Sequence, residues 1–147
     1  MLQLDAAMLS RVEKPARYTG QEYNSVRKEL HSGLVRVALS LPDVYEVGMS
    51  NLGLKILYQL LNEREDAAVE RVYAPWVDME KEMRQAGLPL YSLETRTPIR
   101  DFELLGFSLQ YEMSYSNVLN MLDLAGISLL ARERQEDEPL VIGGGPC

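Results

Sequence analysis

The fold is decided by residues 34–63, which read LVRVALSLPDVYEVGMSNLGLKILYQLLNE. Apolar side chains alternate with small or polar ones from Val35 to Leu41, and a proline ends the run, which is the pattern of a β-strand. Ser50 or Asn51 can then cap a helix that runs to about Glu63. Its apolar positions fall on one helical face: Leu52, Ile56, Leu57, Leu60 and Leu61. A strand followed directly by a helix is the first unit of an α/β fold.

Three more apolar segments predict strands, and two amphipathic segments between them predict helices. The strands are Val69–Ala74, Leu104–Leu109 and Leu140–Ile142; the helices are Met79–Ala86, capped by Asp78 and ended by Gly87, and Ser114–Ala125, ended by Gly126. Val118, Leu119, Met121, Leu122 and Ala125 are expected on the inner side of the second helix. The segment from Leu104 is apolar without alternation, as expected of a central strand buried on both faces.

Strands that alternate with helices at this spacing predict a three-layer, doubly wound, flavodoxin-like α/β domain with a mainly parallel sheet. The strands at Val35–Leu41 and Leu104–Leu109 should be neighbours at its centre. We expect this domain over residues 34–147. Residues 1–33 are predicted to form a short N-terminal helix, which ends before Pro15, and an extended arm.

A five-stranded domain of this kind needs one more helix and strand after residues 143–145. We therefore expect the chain to be a fragment that stops before the last helix and strand. The alternative is a complete four-stranded domain closed by its own N-terminal arm. In the first case, an open sheet edge and an uncovered apolar face favour self-association or pairing with the absent remainder of the protein.

The composition excludes several classes of protein. The chain has 147 residues, of which 46% are hydrophobic, and no apolar run approaches the roughly 20 residues of a membrane-spanning helix. The first residues also lack the unbroken apolar stretch of a secretory signal. We therefore expect a cytoplasmic protein without a membrane partner. A single cysteine, Cys147, cannot form an internal disulfide or a thiolate cluster, and any catalytic triad would have to use the lone His31.

The net charge of −7 is unevenly spread along the chain. Residues 1–36 hold six Lys and Arg against four Asp and Glu, whereas residues 37–147 hold nine against eighteen. An acidic body repels phosphate backbones, so we expect no nucleic-acid partner. The basic residues near the N-terminus form either a small local patch or a solvated arm: Arg11, Lys14, Arg17, Arg27 and Lys28.

Ligands of doubly wound sheets bind at the carboxyl ends of the strands, so the residues just after each strand are the candidate site. The first strand is followed by a polar loop that feeds a helix N-terminus, which could attract an anion such as a phosphate. Small polar side chains follow the central strand, and three glycines after the last strand leave room for a flat ligand. The candidate cofactor-binding residues are Asp43, Tyr45, Gly48, Ser50, Ser108, Gln110, Gly143, Gly144 and Gly145.

Taken in this order, the three strand ends resemble the cobalamin-binding (vitamin B12-binding) domain family, whose marks are Asp-x-His-x-x-Gly, Ser-x-Leu and Gly-Gly. Asp43-x-Tyr45-x-x-Gly48 has tyrosine in place of histidine, and Ser108-Leu109-Gln110 has glutamine in place of leucine. Gly143-Gly144 matches the third mark. The resemblance covers residues 34–147. Longer stretches resemble the N-terminal part of a family of radical S-adenosylmethionine (SAM) proteins: KPARYTG, NSVRKE, PDVYEVGMSNLGLKILY, APWVDME, LETRTP, GFSLQYE and GGGPC.

The resemblance implies an accessory domain that holds a corrinoid over its strand ends for a downstream radical SAM core. Cobalamin would then bind without a histidine ligand, because Tyr45 stands where the family has histidine. SAM and a [4Fe-4S] cluster would lie in the core, since the Cys-x-x-x-Cys-x-x-Cys signature is absent from this chain. The chain alone is then not an enzyme. The rival reading is a degenerate domain without cofactor that serves as a scaffold or docking surface.

The two readings differ in the shape of the site. A corrinoid binder needs an open cleft with Tyr45 at its floor or rim, and this is our prediction. The rival predicts that Tyr45, Met49 or Tyr111 folds inward and fills that space. Trp76 is expected either to stack on a planar ligand or to pack on the rim of the sheet, and Met113 and Met121 are expected in the core.

Overall fold

The computed structural model describes residues 2–29 and 31–147. Its strands are β1 (Val35–Leu41), β2 (Ala67–Tyr73), β3 (Leu104–Ser108) and β4 (Leu140–Gly144). Its helices are α1 (Ala6–Leu9), α2 (Ala16–Thr19), α3 (Tyr45–Ser50), α4 (Leu52–Asn62), α5 (Val77–Ala86) and α6 (Ser114–Leu124). Within the described residues, no helix is both long and apolar enough to cross a membrane.

The four strands form one parallel sheet in the order β2-β1-β3-β4. β1 pairs with β3 from Val37 opposite Leu104 to Ser40 opposite Phe107, so these two strands are the central pair. The sheet and the helices between its strands confirm the predicted three-layer, doubly wound α/β fold. The predicted strand ends differ from the observed ones by at most two residues, because the apolar pattern defines each strand clearly.

Helices cover both faces of the sheet. The connection from β1 to β2 and the connection from β2 to β3 run in opposite directions across the sheet, and right-handed crossovers then place their helices on opposite faces. α4 covers one face, where Leu54 and Tyr58 pack with alternate residues of β1 such as Leu39. α5 and α6 cover the other face, and Met79 and Met121 are fully buried there. We call these the α4 face and the α5/α6 face. The prediction that Met121 lies in the core is confirmed, whereas Met113 is exposed.

The apolar face predicted for α4 is not the face that packs on the sheet. Leu52, Ile56 and Leu60 are 69%, 49% and 55% exposed, whereas Tyr58 and Asn62 point inward and are buried. The Asn62 side chain donates to the carbonyl oxygen of Val69 and accepts from its N–H, both at 3.0 Å. A buried amide whose donor and acceptor both have hydrogen-bond partners carries little desolvation penalty. Asn62 and Tyr58 can therefore occupy the inner face of α4.

The other two predicted helices are largely confirmed. α5 begins at Val77 and its N-cap is Trp76, so the predicted cap, Asp78, lies inside the helix; Gly87 ends it in the left-handed conformation, as expected. Of the positions predicted to face inward on α6, Leu119 is exposed, whereas the other four are buried or partly buried.

Two short helices lie where the sequence indicated irregular chain. Residues 45–50, predicted as part of a glycine-bearing loop, form α3, and residues 16–19 of the predicted extended arm form the single turn α2. Pro15 precedes α2 in a helical conformation, which suits a helix start. Short helices such as these depend on tertiary contacts rather than on local propensity, so the sequence pattern does not reveal them.

The N-terminal segment packs against the domain over much of its length. Met8, Val12 and Tyr18 are buried in the α5/α6 core. Further along, the N–H of Val26 donates to the Tyr58 hydroxyl at 2.7 Å on the α4 face. The segment therefore contributes to both cores, and the division of the chain after residue 33 stays a prediction.

Candidate functional site

The segment after β1 is arranged by α3, which turns three of the predicted site residues away from the strand ends. The Tyr45 hydroxyl donates to Glu22 Oε1 of the N-terminal arm at 3.0 Å. Burial, supported by the Glu22 carboxylate, raises the pKa of Tyr45 to about 12. The Ser50 hydroxyl donates to the carbonyl oxygen of Glu46 within its own helix. Neither side chain is free to bind a ligand at this edge of the sheet.

Gly48 has a packing role. A Cβ atom at this position would lie 2.0 Å from Cε1 of the Tyr73 ring, so α3 approaches β2 more closely than any side chain would permit. Tyr45 packs edge-on against the same ring, with centroids 5.9 Å apart. Gly48 thus sets the position of α3.

The end of β3 meets the end of β1 through a tyrosine that the sequence analysis named only as a rival feature. The Tyr111 hydroxyl donates to Asp43 Oδ2 at 2.7 Å, and this hydrogen bond raises the pKa of Tyr111. Beside it, Gln110 Nε2 donates to Ser108 Oγ at 2.8 Å. These side chains line a cavity of ≈ 70 Å³, whose other walls include Val47 and Asn51.

This cavity is small compared with the roughly 300–1,000 Å³ of ordinary small-molecule sites. The prediction of an open cleft with Tyr45 at its floor or rim is therefore wrong: Tyr111 crosses the strand ends to Asp43, and Tyr45 does not line the cavity. Of the nine predicted residues, three line the cavity, namely Asp43, Ser108 and Gln110.

The three glycines lie at the end of β4, next to the residue that follows Ser108. The N–H of Leu109 donates to the carbonyl oxygen of Gly144 at 2.7 Å. Gly145 has φ +146°, and a Cβ there would lie 2.0 Å from the carbonyl oxygen of Leu109. Gly144 faces open space. The glycine run therefore closes tightly onto the end of β3 and leaves an exposed surface at Gly144.

A buried ionic network lies behind Tyr45, and the sequence analysis missed it. Arg71 of β2 donates through Nε to Glu94 Oε1 at 2.6 Å, and its backbone N–H donates to Glu94 Oε2 at 2.7 Å. Its Nη2 also contacts Glu22 at 3.3 Å, and its guanidinium lies over the Tyr58 ring. An arginine at an inward position of a largely apolar strand is the signal that indicates such a pair.

The arm is fixed to α3 by a second ionic contact, at the surface. Arg17 Nε and Nη2 donate to Glu46 Oε1 at 2.9 and 2.8 Å, and Lys14 lies 3.3 Å from the same oxygen. The Arg17 guanidinium also lies 5.7 Å from the centroid of the Trp76 ring. Trp76, for which two roles were predicted, thus packs under the arm at the rim of the sheet.

This contact predicts that the arm loosens in acid. Arg17 lowers the pKa of Glu46 from its model-compound value of 4.5 to about 2. Since the folded value lies below the unfolded one, the contact is fully formed above about pH 4.5 and is lost as the pH falls toward 2. The fluorescence of Trp76, the only tryptophan, should report this change. Glu46→Gln should abolish the transition at low pH, and an unchanged transition in that variant would contradict the assignment.

Exposed apolar side chains follow the strands at the carboxyl end of the sheet, and we call this surface the strand-end rim; two of them, Val47 and Tyr111, line the cavity. They come from α3, from the start of α5 and from the segment that begins α6: Val47, Trp76, Val77, Tyr111, Met113 and Tyr115. Met113 is the most exposed, at 80%. Monomeric domains rarely expose so many large apolar groups together, so the rim has the character of a contact surface.

Within residues 2–29 and 31–147, no group of three or more His, Cys, Asp and Glu side chains is placed to hold a metal ion. Tyr45 presents a protonated phenol to Glu22 instead of a ligand atom to the strand ends.

Fold and site together define a parallel α/β domain with a closed strand-end cavity and an apolar rim. The chain belongs to the family of radical SAM proteins, N-terminal, whose family model matches residues 53–147. This confirms the resemblance seen in the sequence at the level of the radical SAM N-terminal domain. Neither the curated proteins nor the solved structures gave a match.

Proposed function

We propose that this chain is an accessory domain of a radical SAM protein and that it docks onto the radical SAM core through the strand-end rim. The observation that carries the proposal is the group of exposed apolar side chains at the strand ends, beside the small cavity that Tyr111 and Asp43 line. The chain supplies no chemistry of its own. The SAM and the [4Fe-4S] cluster belong to the core, because this chain has one cysteine.

The rim has the composition of a protein–protein contact. Aromatic residues and methionine are enriched at such interfaces, and Trp76, Tyr111 and Met113 are of these types. The hydrogen bond between Tyr111 and Asp43 keeps the polar centre of the rim satisfied, so that little polar surface would lose its partners on docking. Three separate segments contribute to the rim, so it presents one continuous surface only when the domain is folded.

Docking is tested with the radical SAM core, carrying the Cys-x-x-x-Cys-x-x-Cys motif, that the same gene or its neighbour encodes. We expect amide hydrogen exchange to slow at residues 76–77 and 111–115 when the core is added. Val77→Asp and Met113→Asp should each weaken binding at least about tenfold, since each places a charge inside an apolar contact. Ile56→Asp, at an exposed apolar position of α4 outside the rim, is the matched control. Binding that is unaffected by the rim variants would overturn the proposal.

A second candidate function is corrinoid binding at the same edge of the sheet. Two observations favour it: Gly144 faces open space, and the Tyr111 side chain that closes the cavity is 42% exposed and held by one hydrogen bond to Asp43. A corrinoid would require Tyr111 to swing away from Asp43. Ser108, Gln110 and Gly143–Gly145 would then face its amides and ring.

Titration with hydroxocobalamin separates the two candidates. Corrinoid binding predicts a change in the visible spectrum and co-elution on gel filtration, both strengthened by Tyr111→Ala and abolished by Gly144→Trp. Docking alone predicts that the spectrum stays identical to that of free hydroxocobalamin with the parent chain, with Tyr111→Ala and with Gly144→Trp. The spectrum of the variants decides the question without any need for enzymatic activity.

A further inference from the structure

A second small cavity lies where the N-terminal arm passes the end of β2, the edge strand farthest from β4. The arm contributes Arg17 and Tyr18 to its walls, and the opposite walls include Tyr73 and Tyr91. Its volume is ≈ 20 Å³. A cavity needs roughly 10–15 Å³ to hold one water molecule, so this cavity has room for one water and for no larger organic ligand.

One nitrogen of Arg17 has no hydrogen-bond partner beside this cavity. Nε and Nη2 donate to Glu46 and form one edge of the planar guanidinium, so Nη1 lies on the other edge, away from Glu46. Among the residues that the structure describes, Nη1 is the one buried side-chain nitrogen or oxygen without a partner. A buried donor that is left unsatisfied is costly, so an acceptor is expected at this edge.

The Tyr18 hydroxyl supplies a second donor at the same place. Its oxygen accepts from the N–H of Trp76 at 3.2 Å, and its own proton has no acceptor among the described side chains and carbonyl groups. Burial raises the pKa of Tyr18, and the neighbouring Arg17 guanidinium opposes that increase. The two groups are thus close to each other, but neither donates a hydrogen bond to the other.

We infer that the cavity is the binding site of one buried water molecule, which accepts from Arg17 Nη1 and from the Tyr18 hydroxyl and so links the arm to the end of β2. The water also finds acceptors for its own protons. Tyr73 donates to Met49 Sδ at 3.4 Å and Tyr91 donates to the carbonyl oxygen of Tyr18 at 3.3 Å, so both phenol oxygens can still accept. Buried waters in proteins typically make about three hydrogen bonds, which this set of groups can provide.

The charges around the cavity favour water over an anion. Glu46 lies 2.8 Å from Arg17 Nη2 and already compensates the guanidinium, and the other cation nearby, Lys14, is exposed to solvent. An anion in the cavity would therefore be a buried charge without a partner of its own. A neutral ligand that accepts two hydrogen bonds satisfies both donors without that cost.

A crystal structure of the chain, at a resolution that shows ordered water, tests the inference. We expect one water peak within hydrogen-bond distance of both Arg17 Nη1 and the Tyr18 hydroxyl. Crystals grown with bromide in place of chloride should give no anomalous signal at this position, because the ligand is neutral. An empty cavity, a direct hydrogen bond between Arg17 and Tyr18, or a bromide peak would each overturn the inference.

Oxygen-17 magnetic relaxation dispersion of water gives a test in solution. Arg17→Lys keeps a cation beside Glu46 but removes Nη1, and Tyr18→Phe removes only the hydroxyl. Each should shorten the residence time of the bound water at least about tenfold, since each removes one of its hydrogen bonds. Arg64→Lys and Tyr23→Phe make the same changes at exposed positions and should leave the residence time unchanged.

Circular dichroism checks that the four variants are folded. If the long-lived water persisted unchanged in both Arg17→Lys and Tyr18→Phe, it would lie elsewhere in the molecule, and the inference would be wrong. The inference rests on the contacts of the arm alone and is independent of the docking proposal.

Discussion

Arg71→Met is expected to lower the free energy of unfolding by about 3–5 kcal/mol at pH 7, the usual effect of leaving a buried charge without its partner. Glu94 is fully buried, and Arg71 supplies both a side-chain and a backbone hydrogen bond to it. Methionine fills a similar volume but cannot compensate the carboxylate. Urea unfolding at equilibrium measures the loss.

A surface pair provides the control for this prediction. Arg64 contacts Asp66 at 2.6 Å, and both side chains are 59% exposed, so Arg64→Met should change the free energy of unfolding far less than Arg71→Met does. The pH dependence gives a second check. Burial raises the pKa of Glu94, and removal of Arg71 raises it further, so protonation should restore part of the lost stability as the pH falls from 7 to 5. If Arg71→Met and Arg64→Met lowered the free energy of unfolding equally, the buried pairing of Arg71 with Glu94 would be contradicted.

Gly48→Ala is expected to lower the free energy of unfolding by about 1–3 kcal/mol, even though alanine is the better helix former. The new Cβ would overlap the Tyr73 ring, and either α3 or β2 must shift. Thermal unfolding followed by circular dichroism measures the effect. Since α3 carries Glu46, the arm should also loosen, and the Trp76 acid transition should move to higher pH.

The control for Gly48 is a second helical glycine. A Cβ at Gly53 meets only Asn51 Oδ1 at 3.4 Å, so Gly53→Ala should be neutral or stabilise by up to about 1 kcal/mol. Tyr73→Leu removes the ring, so the double variant with Gly48→Ala should lose less stability than the two single changes together. If the loss of stability in the double variant equals the sum of the two single losses, the Tyr73 ring does not limit the approach of α3.

The sequence predicted the sheet well and the helix environments less well. The strands follow from apolar runs bounded by turn residues, and those runs are local. The inner face of α4 is not a local property: Asn62 is buried because the backbone of Val69 satisfies it, and a periodic pattern cannot show that contact.

The site could be predicted only in its position. Strand order places Asp43 and Ser108 at the same edge, as expected, but the hydrogen bond that closes the cavity joins Asp43 to a residue 68 positions away. Likewise, Tyr45 turns toward Glu22 because the arm passes behind it. Such contacts depend on the path of the chain in three dimensions. The inward arginine at position 71 was the one visible sign that a buried carboxylate must lie nearby.

The contact between the arm and Arg71 determines the order in which a nascent chain can complete its fold. Glu22 leaves the ribosome 49 residues before Arg71, and Arg71 precedes Glu94 by 23. At about 5–20 residues per second, several seconds pass between the synthesis of Glu22 and that of Glu94. Arg71 cannot form its buried ion pair with Glu94 before then. During that interval Glu22 can already accept a hydrogen bond from Tyr45, but its buried ionic partner is still missing. The arm is therefore held first by its contacts with α3, and the buried ion pair is the last of these contacts to be completed.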